Sequence, residues 1–255
     1  MHQLELFALL KATWETIYIV FIASTLSILF GACLGTLLFL TQKKQALANK
    51  KINQTLGCMV NIMRSIPFII LMISILPLTR FLVGTTIGTN AAIVPLTLAA
   101  IPFFARVCEA ALAEVPYGLI ETADAIGANT WQLISKVLIP ESLPSLIRGI
   151  TLTIIALIGY STMAGAVGGG GLGELAINYG YQRFNVMVTF ETVLILIVMV
   201  QGIQYLGDTL AKKRQFKPII FASILLAGLC VAPQLYPNTS YENTIKVGVT
   251  TGWPD

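Results

Sequence analysis

Histidine is almost absent from this 255-residue chain: His2, beside the amino terminus, is its only one. That excludes a serine–histidine nucleophile pair inside the apolar body of the chain, and any HExxH zinc site. Charge is also scarce, at 11% of residues against about 25% in an average soluble domain, while 56% are hydrophobic. With a mean hydropathy of +0.80, the chain is an integral membrane protein by composition. Its four cysteines, Cys33, Cys58, Cys108 and Cys230, lie in or beside apolar stretches without CxxC or other metal-ligand spacing, and read as small apolar fillers. A nucleotide motif is missing too. Four glycines stand together at 168–171, but no Gly-Lys-Ser/Thr follows and no strand precedes them. They read as a tight extracellular turn with close helix contact. There is no basic, aromatic-interleaved face for nucleic acid, no internal repeat and no low-complexity tract.

What is present is a succession of apolar segments. Residues 1–13 mix Leu4, Leu6, Phe7, Leu9 and Leu10 with Glu5 and Lys11, which predicts a short interfacial helix. Spans are expected at about 14–40, 57–78, 89–105, 146–167 and 186–206, with a sixth at 219–235. The first carries Glu15 as its sole charge and a small-residue stripe, Ser27, Gly31 and Gly35, that lets another backbone approach. Lys43, Lys44, Lys50 and Lys51 follow it, and Lys212, Lys213, Arg214 and Lys217 follow the fifth span. Counted by loop, eleven cations fall on one side and three on the other before residue 218. By the positive-inside rule the amino terminus is outside and the lysine-rich loops are cytoplasmic.

A polar interruption at 121–140, ETADAIGANTWQLISKVLIP, falls on the cytoplasmic side of that topology, past Arg106 and Glu109. It predicts a short helix, a break at Gly127, and a second helix capped by Asn129 or Thr130 and stopped by Pro140. By itself the stretch is compatible with an amphipathic connector lying on the membrane surface. Elsewhere, Arg64 lies inside the second span, where an intramembrane cation either faces a watery path or snorkels to the interface. Pro67 loosens the same helix. Glu191 on the fifth span reads as a path residue or an interface-solvated carboxylate. Met163, beside Ala164 and Gly165, reads as a gate or as a core gap-filler.

Glu121, Thr122, Ala123, Gly127, Val137, Ile139 and Pro140 resemble the EAA loop of ABC importer permeases: Glu-Ala-Ala, three residues, Gly, nine residues, Ile-x-Leu-Pro. Thr122, Val137 and Ile139 depart from it by small or aliphatic exchanges. The stretches 64–68, 109–118 (EAALAEVPYG) and 159–184 (GYSTMAGAVGGGGLGELAINYGYQRF) narrow the resemblance to the methionine importer permeases, the MetI-like type I class, over about residues 1–215. The resemblance implies an all-α, five-helix permease domain at 1–217 in a bacterial inner membrane, paired with a second copy of itself. It implies two ABC ATPase subunits that carry ATP and Mg, with no cofactor or metal on this chain, and an external methionine-binding protein. Glu121, Ala123, Gly127, Ala128, Val137, Ile139 and Pro140 would then form the ATPase-coupling element, and Arg64, Pro67, Tyr160, Ser161, Met163 and Glu191 the translocation path. The ligand would be methionine, including its D-isomer. Permeases for an osmoprotectant or a phosphonate are the alternative within transport. From other classes stand an intramembrane enzyme using Ser161 or Glu191 and a membrane scaffold; a lone histidine and the lack of paired carboxylates count against the enzyme.

Beyond 217 the chain departs from that pattern. Residues 218–236 predict an added transmembrane helix and 237–255 an external tail. Leu226, Ala227, Gly228 and Cys230 look like a lipoprotein box interrupted by Leu229, which favours a retained anchor over cleavage. Thr244 to Val249 alternates like a first β-strand and resembles the start of a mature methionine-binding protein. The expectation is a permease fused to its binding protein, whose tethering raises the effective concentration at the pore. A re-entrant segment with a disordered tail is the other reading. In intact cells Ser240→Cys is expected to react with an impermeant thiol reagent; labelling only after lysis would put the tail in the cytoplasm and remove the fusion.

Overall fold

The computed structural model describes residues 2–43 and 45–213, and all regular structure among them is helical. The expected sixth span and the tail lie outside the described residues. The first helix, α1 (His2–Leu40), is unbroken. No separate interfacial helix precedes the first span, because no residue before Trp14 is a glycine or proline that would end one. At 39 residues α1 is roughly 58 Å long, well beyond a bilayer's hydrocarbon core of about 30 Å.

The second segment departs further from expectation. Residues 57–78 do not form one span: α2 (Lys50–Ser65) and α3 (Phe68–Ser74) meet at 98°, and α4 (Leu76–Val83) follows. The bend falls at Ile66 and Pro67, whose ring removes a backbone donor and whose predecessor is pushed out of the helical region, to ψ 123°. Next comes α5 (Thr89–Ala113), which continues past its expected end at residue 105 and carries Arg106 and Glu109 within it. Pro95 and Pro102 are accommodated inside it. Among the described residues four helices are long and apolar enough to cross a membrane, or five if the bent pair counts as one span.

The core forms where α1, α5 and the later helix α8 (Ile139–Gly165) meet. Ile19, Val20 and Ala23 of α1 pack there with Leu96 and Ala100 of α5 and with Leu157 and Ile158 of α8. The small-residue stripe sets the distance of the first two helices. Ser27 Oγ reaches Thr97 O at 3.2 Å. A Cβ on Gly31 would stand 2.9 Å from Ile101 O, and one on Gly35 would run into Ala105 O and lie 2.7 Å from Cys108 Cβ. The last helix, α10 (Val186–Lys213), lies against α8 and leaves most of its apolar surface uncovered.

At one end of the bundle the glycine run is latched to α1. Between Gly165 and α10 lie α9 (Gly171–Leu175) and a π-helical turn, Ala176–Tyr181. Glu15 Oε2 accepts from Gly171 N at 2.9 Å, Thr16 Oγ1 from Leu172 N at 2.9 Å, and Glu174 Oε2 from Gly170 N at 2.8 Å. Gly170 and Gly171 both have φ near +80°, where a side chain would be strained. The loop's amides are thus occupied by the chain's own oxygens, as a close turn requires. Gly35→Leu is expected to lower the thermal midpoint of the purified protein, or block its accumulation, because overpacking costs about 1–3 kcal/mol even where neighbours can yield. Gly159→Ala, where a Cβ meets nothing within 4 Å, is expected to remain near the parent.

Candidate functional site: a capped helical hairpin and an intramembrane recess

At the end of the bundle opposite the glycine latch, α6 (Tyr117–Ala125) and α7 (Thr130–Gln132) form a tight hairpin. Its turn is specified from both sides. Ala128 N donates to Ala123 O and Gly127 N to Asp124 O, both at 3.0 Å, the paired bonds that close a helix through a left-handed residue. Gly127 supplies that residue, at φ +78°. Asn129 Oδ1 then accepts from Gln132 N at 2.8 Å while Gln132 Oε1 accepts from Asn129 N at 3.0 Å, a capping box that opens α7. The glycine break and the Asn129 cap are therefore as the sequence predicts.

Pro140 does not stop the second helix. A π-helical turn, Leu133–Leu138, joins α7 to α8, and Ile139 N bonds Ile134 O five residues back. That wider turn takes the proline past the carbonyl its ring would strike in an α-helix, so helix continues from Thr130 to Gly165. The hairpin is consequently welded to a membrane-crossing helix.

Ile120 and Ala123 of α6 and Leu133 and Leu138 of the π turn are buried with Phe39 and Leu40 of α1 and Leu112 of α5. Ala123 is small because it faces that core, and Ala128 and Val137 are half-buried beside it. Glu121, Gly127, Ile139 and Pro140 are exposed. Among the hairpin's large apolar residues the most exposed are two that the EAA-like pattern does not include: Ile126 is 80% exposed and Trp131 73%. The available signal was two large apolar side chains flanking the glycine of an otherwise polar loop.

Nearby, Arg106 Nη1 pairs with Glu109 Oε2 at 2.6 Å, and its Nη2 donates to Gly57 O at 2.9 Å and Asn61 Oδ1 at 3.0 Å. Gln42 Nε2 donates to Glu109 Oε1 at 2.7 Å. These side chains, read from sequence as markers of a helix exit, instead fix α2 and the turn after α1 against α5.

Of the expected path residues, Arg64 and Tyr160 line one recess of about 230 Å³ beside the bend at Pro67. Phe68 stacks on Tyr160 with ring centroids 4.8 Å apart, and the Arg64 guanidinium carbon lies 5.8 Å above the Phe103 ring. Ser161 is turned away: it is buried, and its hydroxyl donates to Ile158 O at 2.7 Å. Met163 is half exposed on α8, and Glu191 is half-buried on α10; neither lines the recess. Among the described residues no cluster of His, Cys, Asp or Glu has metal-holding geometry.

Residues 27–213 match the family model for the binding-protein-dependent transport system inner membrane component. The chain belongs to that family. A probable D-methionine transport system permease protein, MetI, of Vibrio cholerae is 51% identical over 205 residues, 80% of this chain and 91% of the relative. The methionine import system permease protein MetP of Bacillus subtilis is 49% identical over 206 residues, 81% and 93% of the two chains. Among solved structures, a chain of the MetNI methionine ABC transporter in an inward-facing conformation superposes with a TM-score of 0.83 at 44% identity, covering 84% of this chain and 100% of that one. An amino acid ABC transporter at 16% identity and a TM-score of 0.66 shares the fold. The permease is thus a multi-pass inner-membrane transport component and not an enzyme.

For the hairpin turn, Gly127→Val is expected to cost roughly 1–3 kcal/mol, read as a lower thermal midpoint, because a β-branched residue is strained at positive φ. Gly127→Asn, which tolerates that region, is expected to cost less.

Proposed function

We propose that the permease is the transmembrane subunit of an ATP-driven methionine importer. Two copies would pair around a shared pathway, since closed two-fold symmetry is the commonest solution for such assemblies. Two ABC ATPase subunits, which supply ATP and Mg chemistry, would dock on the 117–132 hairpins, and an external binding protein would deliver methionine in its L- and D-forms. The observation that carries this reading is the hairpin's build: a turn fixed by two caps, an apolar tip of Ile126 and Trp131, and helical continuity into α8. Aromatic residues protruding from a rigid element are the usual anchors of a protein interface. The names and functions of the methionine permeases it matches at about half identity support the choice of solute.

In this mechanism the ATPases carry the hairpins with them when they close on nucleotide. The buried contact of Ile120, Ala123, Leu133 and Leu138 with the ends of α1 and α5 passes that displacement to the core helices. Because α1 and α5 touch through backbone at Gly31 and Gly35, they move as one body, and the opposite ends remain tied by the Glu15 latch. Rocking of such bodies between inward- and outward-open states is alternating access. The lysine-rich loops and the hairpin would face the cytoplasm and the glycine latch the outside. The two described sets of elements do lie at opposite ends of the bundle, in keeping with that assignment. Met163 and Glu191 are assigned to the pathway, and residues 218–255 to an anchor and the opening of an attached binding domain.

With ATPase and binding protein supplied, ATP-dependent uptake of labelled methionine into vesicles is expected. Trp131→Ala is expected to reduce that uptake at least about tenfold by weakening ATPase association, the effect of losing an interface anchor, and Gly127→Asp to abolish it. Normal uptake by both variants would remove the hairpin from coupling; robust transport of another solute without methionine uptake would change the solute.

A further inference from the structure

Building on the importer reading, we propose that the recess between α2, α3, α5 and α8 is a substrate station inside the membrane: a site for the carboxylate and apolar side chain of a single α-amino acid. The sequence alone leaves Arg64 either snorkelling to the interface or facing a path. In the structure the guanidinium turns toward α5, its carbon 5.8 Å from the centre of the Phe103 ring. Among the described residues no acidic side chain pairs with it. Arg64 is exposed at the recess, and an anion entering there would meet its free guanidinium with paired, charge-assisted hydrogen bonds.

The rest of the lining narrows the anion. Arg64 is the only charged residue there, so a dicarboxylate or phosphate finds no second cation. Met63 and Leu71 are apolar and unbranched at Cβ, and suit a flexible aliphatic or thioether side chain. Tyr160 offers a hydroxyl, and its ring, stacked on Phe68, gives a π-face that an α-ammonium group can approach. A volume of about 230 Å³ gives room for one small amino acid in a partly open recess. The site adjoins the 98° break at Pro67, so any change in that bend alters its walls. Selectivity would then be exercised twice, by the external protein and again within the membrane.

The test is equilibrium binding of labelled L-methionine to the assembled permease–ATPase complex in lipid nanodiscs, without binding protein and with nucleotide absent. Saturable binding is expected, displaced by unlabelled methionine or norleucine and not by methioninamide, which lacks the carboxylate. Arg64→Gln is expected to weaken binding at least tenfold, with Arg64→Lys intermediate because it keeps the charge and loses the fork. Absence of saturable binding to the unmodified complex, equal displacement by methioninamide, or full affinity in an assembled Arg64→Gln complex would each overturn the station. The competition series uses the unmodified complex, so it decides the matter even if Arg64→Gln fails to assemble. Binding-protein-dependent methionine uptake measured in parallel separates the two readings: uptake without an intramembrane site defeats the station alone. Carboxylate-dependent binding of another apolar amino acid, without methionine uptake, retains the station and defeats the solute assignment.

Discussion

Every other arrangement in this molecule depends on how closely α1 approaches α5. Lipid tails are as apolar as the side chains they surround, so burial of hydrophobic surface does little to hold membrane helices together. Close packing and interhelical hydrogen bonds must do it. Here Gly31 and Gly35 remove the side chains that would separate the two helices, and Ser27 adds a hydrogen bond across the contact. The pair forms a stiff spine. α8 completes its core, α2 is fastened to it through Arg106, Glu109 and Gln42, and the hairpin rests on its end.

Stiffness at the ends follows from the same economy of backbone groups. The hairpin and the glycine latch are both turns in which otherwise orphaned amides and carbonyls receive a specific partner. In the hairpin the partners are local, Asp124 O, Ala123 O and the Asn129–Gln132 box. In the latch two partners, Glu15 and Thr16, come from 156 residues away in the chain. A displacement applied at one end therefore meets a body with few soft joints. The bend at Pro67 is the main exception, where one helix gives way to another at nearly a right angle.

That joint also explains why the recess sits where it does. A straight α2 would carry Arg64 and Phe68 along one continuous helix. The break instead lays Phe68 on Tyr160 of α8, and Arg64 extends over Phe103 of α5. The aromatic pair and the cation–π contact close two walls of a small volume at the break.

Some of this was legible from residue order alone. Long apolar runs and scarce charge give an all-helical membrane protein, because only helices or closed barrels satisfy the backbone in lipid. Gly127, the Asn129 cap and the Ser27–Gly31–Gly35 stripe act over one or two turns, so local chemistry determines them. What depended on distant partners was not legible. Pro140 read as a stop, and a π turn reached from the preceding residues carries the helix through it. The 57–78 segment read as one span, since hydropathy averages over a bend. Glu15 read as an isolated charge until the glycine loop was laid against it, and the sequence did not show that the Ser161 hydroxyl turns to its own helix. Periodicity specifies which residues are helical; only the packed bundle specifies which way a side chain faces and what it meets there, because those contacts join segments far apart in sequence.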